Sequence, residues 1–211
     1  MLSIVKKNMS YFLGYFSFIF ILTAILKIAL GNEHSVPLVL ISGVLVFMLV
    51  FGPVFFNEQY EEKHKAYDFL DTLPISASEI VTAKFGLVLA TAAATLCCVL
   101  LLFSVSKVAP NDWVLVRSYL LMSGVVGLLL AALSYIGIFS LGYTKFAVIV
   151  MTFFVLLGFV PILIMKFYSD NMDVLIQNIL AFLRGVNWAA VIPLTLIGYF
   201  ALMVIAIKIK E

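Results

Sequence analysis

Charged side chains are scarce in this chain: its 211 residues hold 13 Lys and Arg and 11 Asp and Glu, while 64% are hydrophobic. Soluble domains carry about a quarter of their residues as charges, and a mean hydropathy of +1.20 leaves no room for one here. The formal net charge of +2 and the lack of any basic cluster exclude a nucleic-acid partner. Cysteine is almost missing, and Cys97 and Cys98 are adjacent, so on a helix they point to different faces and form neither a disulfide framework nor a metal pair. There are two histidines, His34 and His64. Glu61 and His64 make one Glu-x-x-His, half of a four-helix di-iron site whose second half is absent, so no metal site is expected. No Gly-x-x-x-x-Gly-Lys-Ser/Thr occurs, so the chain cannot cradle ATP phosphates in a P-loop. No catalytic residue and no cofactor is expected in this chain.

What the sequence does have is long uncharged runs, over residues 8 to 26, 35 to 57, 85 to 106, 118 to 144, 146 to 165 and 185 to 207. Each reaches the length of about 18 residues that a spanning helix needs. Residues 118 to 165 are interrupted by Lys145 alone. One helix of that length would measure about 70 Å against a hydrocarbon core of about 30 Å, so the chain must fold back. Gly142 to Lys145 is the natural turn. The expected fold class is all-α and integral to the membrane: one transmembrane domain over residues 1–211, with six spans near 10–30, 36–56, 85–106, 115–140, 146–165 and 189–207. The first run follows Lys6 and Lys7 as a signal peptide would, but it is too long for one and lacks a small-residue cleavage site, so it reads as a retained span. With the N-terminus inside, Lys6, Lys7, Lys63, Lys65, Lys84, Lys145, Lys208 and Lys210 fall on the cytoplasmic side. Lys27, Lys107, Arg117, Lys166 and Arg184 fall on the other. That excess places both termini in the cytoplasm and the protein in a cell membrane, with a bacterial cytoplasmic membrane as the expectation.

Small residues recur every fourth position as Gly86, Ala90 and Ala94 in span three and as Ser123, Gly127 and Ala131 in span four. Such ridges let helix backbones approach closely, either within the subunit or against a second copy. Gly52-Pro53 should kink span two, and Pro161 and Pro193 should bend spans five and six. Between those last spans, residues 170 to 183 read as a helix lying on or dipping into the membrane, with Asp170 as its N-cap.

The polar exception is residues 57 to 84, with nine charged side chains: Glu58, Glu61, Glu62, Lys63, Lys65, Asp68, Asp71, Glu79 and Lys84. Ala66, Phe69, Leu70 and Leu73 stand at i, i+3, i+4 and i+7, one face of a helix, with Glu61, Glu62, Lys65, Asp68 and Asp71 opposite. An amphipathic helix from about Glu58 to Thr72 is expected, broken by Pro74. Ser76-Ala-Ser-Glu79 is a capping box that starts a new helix, which runs through Ile80, Val81 and Lys84 into span three.

Lys65 to Phe85, reading KAYDFLDTLPISASEIVTAKF, resembles the connector of type-2 ABC exporter permeases, with Leu-x-x-Leu-Pro, small or polar residues, a Glu-Ile-Val triplet and a Lys. The six-span layout and the helical segment before the last span are similar too, in the compact form of phenol-soluble modulin exporter permeases. The resemblance implies that the connector is a coupling helix docking into a separate ATP-hydrolysing subunit through Tyr67, Asp68, Phe69, Leu70, Thr72, Leu73, Pro74, Ile75, Ser76 and Glu79. It further implies ATP and Mg on that partner subunit, a second permease copy or paralogue, and export of an amphipathic or lipophilic cargo, with peptides as one class.

Two other functions compete. Glu61-Glu62 resembles the start of the Glu-Glu-x-x-x-Arg motif of CAAX-type intramembrane proteases, but Ala66 stands at the Arg position and no span holds a His. No Asp or Glu is expected inside a span, which disfavours ion-coupled transport. A non-transporting membrane scaffold or an intramembrane enzyme remains the alternative reading from sequence.

Overall fold

The computed structural model describes residues 35–63, 76–104, 110–168 and 172–211. These residues form six helices: α1 (Ser35–Lys63), α2 (Ala77–Ser104), α3 (Pro110–Leu141), α4 (Tyr143–Tyr168), α5 (Met172–Gly185) and α6 (Trp188–Lys210). No strand occurs among the described residues. The described fold is all-α, and among the described residues three helical stretches are long and apolar enough to cross a membrane: Ala77–Leu101, Trp113–Leu141 and Trp188–Lys210. The expected first span, the Asp170 cap and residues 64–75 of the connector lie outside the described residues.

Local chemistry accounts for the helix ends. Pro110 occupies the first position of α3, where its missing N–H would have had no partner and its fixed φ suits the helix. Gly142 divides α3 from α4 in a left-handed conformation, φ 79°, that L side chains rarely adopt. Its N–H donates to the Ile138 carbonyl at 2.8 Å, and its own carbonyl accepts from Phe146 N at 3.2 Å, so one residue closes one helix and opens the next. The fold-back expected at Gly142 to Lys145 is therefore made at its first residue, with Tyr143 to Lys145 already helical. Pro53 and Pro193 sit inside α1 and α6 without ending either helix.

α3 is the central helix and touches each of the other five. Hydrocarbon is as apolar as a Leu side chain, so close approach and satisfied hydrogen bonds hold membrane helices together. Gly127 supplies the approach between α3 and α1: a Cβ there would lie 3.2 Å from Val50 Cβ and 3.5 Å from the Phe47 carbonyl oxygen. Ala131, on the same ridge, is fully buried. The Ser123, Gly127 and Ala131 ridge thus packs within the subunit. The ridge in α2 behaves differently, since Gly86 and Ala90 are exposed and a Cβ on Gly86 would meet open space.

Three hydroxyls find partners within their own helices, whereas the buried Thr95 hydroxyl has none among the described residues. Thr91, Ser123 and Ser134 each donate to the carbonyl four residues earlier, at 2.7, 2.9 and 2.8 Å. Between helices, Trp188 Nε1 donates to Ser118 Oγ at 2.9 Å, fastening the start of α6 to α3. The main core joins Val50, Val54, Val81, Phe85, Val88, Ala132 and Tyr135, with Tyr199 and Ala206 contributed by α6. The outside of the bundle is apolar as well: Val148 and Met151 on α4 and Leu194 and Ile197 on α6 are exposed, as suits helices whose solvent is lipid.

Candidate functional site

The site lies where α1 ends and α2 begins, on either side of the connector. On α1, the buried stripe Val46, Val50, Val54 continues at the same helical spacing into Glu58 and then Glu61. On α2, the stripe Val81, Val88, Thr91, Thr95, Val99 passes through Lys84. The two stripes face each other, which brings three charged side chains together. Lys84 Nζ donates to Glu61 Oε2 at 2.7 Å and to Glu58 Oε1. Glu58 is completely buried, and Lys84 and Glu61 are each 5% exposed.

An isolated charge buried in this way would cost several kcal/mol, and the pairing with good hydrogen-bond geometry offsets it. Aromatic faces complete the surroundings of the ammonium: the Tyr135 and Phe139 rings of α3 lie with their centroids 5.9 and 5.8 Å from Lys84 Nζ. A cation above such a ring is attracted by its negative face. The next residue, Phe85, packs its ring between those of Tyr135 and Tyr199, tilted against both, with centroid distances of 5.4 and 5.2 Å. Its carbonyl accepts a hydrogen bond from the Tyr199 hydroxyl at 2.6 Å. A further contact reaches α4, where Thr144 Oγ1 donates to Glu62 Oε1 at 3.3 Å. Tyr143, the first residue of α4 and ahead of the expected span 146–165, has its hydroxyl pKa raised above the ordinary tyrosine value, first by burial and then by the Glu58 and Glu62 carboxylates.

α1 runs unbroken from Ser35 to Lys63, so Glu58 to Lys63 continue the helix of span two, and the remainder of the amphipathic helix expected over Glu58 to Thr72 lies outside the described residues. One expectation is overturned. Glu61, expected on a solvated face, is buried against Lys84. The expectation counted its face from Ala66, Phe69, Leu70 and Leu73, whereas its position is set by the valine stripe that precedes it. That stripe was a usable signal, because four-residue spacing from Val54 lands on Glu58.

Of the predicted docking residues, Ser76 and Glu79 are described and Tyr67, Asp68, Phe69, Leu70, Thr72, Leu73, Pro74 and Ile75 lie outside the described residues. Ser76 and Glu79 form the expected capping box. Glu79 N donates to Ser76 Oγ at 3.3 Å, and Ser76 N donates to Glu79 Oε2 at 3.1 Å. Both side chains are exposed, and α2 begins immediately after Ser76. Among the described residues, no cluster of three or more His, Cys, Asp or Glu is arranged to hold a metal ion.

Several apolar helices of membrane length, packed around α3 with an apolar exterior, define a multi-pass integral membrane protein. The chain belongs to the ABC-2 transporter family: the family described as ABC-2 family transporter protein matches residues 2–211. Its role is thus ABC-type transport. No curated protein and no solved structure matches the chain.

Proposed function

We propose that this chain is the membrane-spanning subunit of an ATP-driven exporter, with six spans in a single domain over residues 1–211 and both termini in the cytoplasm of a bacterial cell. It works as a pair with a second copy or a paralogue. Power comes from separate ATPase subunits that bind ATP and Mg, since the sequence holds no P-loop of its own. Tyr67, Asp68, Phe69, Leu70, Thr72, Leu73, Pro74, Ile75, Ser76 and Glu79 dock into those subunits. Closure of the ATPase dimer pushes on the connector, tilts α1 and α2, and opens a pathway between the two permeases for an amphipathic or lipophilic cargo, with peptides as the leading class.

The observation that carries this reading is the family match over residues 2–211, which includes the connector. The course of the helices supports it. α1 leads into the connector and α2 leads out of it, and each continues as a rod into the packed bundle. A push on residues 64 to 75 therefore has a stiff path inward. The experiment is purification of the chain from its native membrane in mild detergent, with mass spectrometry of what accompanies it. Recovery of a P-loop ATPase whose hydrolysis rises with an amphipathic peptide is the expected result. A stable complex without any nucleotide-binding subunit would sink the proposal.

A further inference from the structure

The two arms of the connector are joined just inside the bundle. Lys84 lies about two helical turns from the start of α2, roughly 10 Å along its axis, and its partners Glu58 and Glu61 lie in the last two turns of α1. The same turn of α2 meets α3 through the Tyr135 and Phe139 rings and α6 through the bond from Tyr199 to the Phe85 carbonyl. One turn of one helix is thus bound to three others.

Stability does not require charges there. A buried ion cluster is commonly matched or surpassed by apolar side chains of similar volume, and most of the buried side chains around it are apolar. What the charges add is direction. Charge-assisted hydrogen bonds fix distance and angle, whereas apolar side chains can slide past one another at little cost.

We infer that Glu58, Glu61 and Lys84 are positioning residues that lock both arms of the connector into one rigid joint, so that a displacement delivered to the connector moves α1, α2, α3 and α6 together. The inference rests on the transporter reading above. Without the lock, a push on the connector would fray the helix ends, and ATP would be hydrolysed without movement of the bundle.

The test uses the full-length chain with its co-purified ATPase in lipid nanodiscs and proteoliposomes. Wild type is compared with the triple variant E58M/E61M/K84M, which replaces the charges by apolar side chains of similar volume, and with the swap E58K/K84E, which restores a cross-helix pair of reversed polarity. Hydrogen exchange is read over residues 58 to 63 and 77 to 85, and transport of a fluorescent amphipathic helical peptide is measured per ATP hydrolysed. For the triple variant, unchanged melting and ATPase retention are expected, with amide exchange at both helix ends faster by about tenfold. Peptide moved per ATP should fall by about tenfold, and the swap should recover most of both losses. Wild-type exchange, or wild-type transport per ATP, in the triple variant would overturn the inference. If wild type carries no ATPase, the transporter reading falls, and the exchange data still decide whether the joint exists.

Discussion

The hydroxyl of Tyr199 donates to the backbone carbonyl of Phe85 at 2.6 Å, tying α6 to α2 across 114 residues of sequence. The carbonyl is the one immediately after Lys84, so the last helix is fastened at the level of the ion cluster. Tyr199→Phe removes the donor and keeps the ring. A loss of about 1 kcal/mol is expected, read as a lower melting point of the purified chain, with helix content unchanged by circular dichroism.

Two glycines should respond in opposite senses. At Gly127 a side chain would run into Val50 and the Phe47 carbonyl, so Gly127→Leu forces α1 and α3 apart. Overpacking of that kind costs about 1 to 3 kcal/mol. Gly86 faces open space, and Gly86→Ala should be neutral or stabilise by up to about 1 kcal/mol through helix propensity. Thermal unfolding of the two variants side by side checks the contrast.

Leu70→Asp and Leu73→Asp probe the proposed docking segment. An unpaired carboxylate in a buried contact costs several kcal/mol, so each variant should lose the ATPase subunit on purification or hydrolyse ATP without transporting peptide. Wild-type coupling in both would remove Leu70 and Leu73 from the docking surface.

Tyr143 should report the field of the α1 carboxylates. Its pKa is raised, so the neutral phenol is the form that the fold favours. The associated stabilisation is complete below the ordinary tyrosine range and is lost as pH rises through the elevated value. Glu62→Gln removes one of the two carboxylates and should move the Tyr143 midpoint down towards, though not to, the ordinary value, because burial is the larger cause. Ring-carbon NMR of labelled tyrosine follows that titration, and an unmoved midpoint would count against the Glu62 contribution.

Features governed by neighbours in sequence were legible from the residues. The turn at Gly142 follows from the tolerance of glycine for positive φ and from the impossibility of one helix over residues 118 to 165. The Ser76 and Glu79 capping box follows from a three-residue spacing, and both of its bonds are present. The close approach at Gly127 was half legible. Small residues at four-residue spacing foretold a tight contact, but not whether the contact lay within the subunit.

The ion cluster was not legible from Glu61 considered alone. A carboxylate beside Glu62 and Lys63 reads as solvated, and the Ala66 to Leu73 stripe assigned it to the outer face. Its counter-charge stands 23 residues away on another helix, and such a partner is seen only when the two helices are side by side.

By itself, then, the sequence determined that this is an all-helical membrane protein, because hydropathy, turn chemistry and capping act over a few residues and are written in them. The tertiary structure alone decided which small-residue ridge faces inward, that α3 is the centre, and that Glu58, Glu61 and Lys84 are buried together. These depend on how helices are rotated about their axes and against which partners, and packing between distant segments sets that rotation.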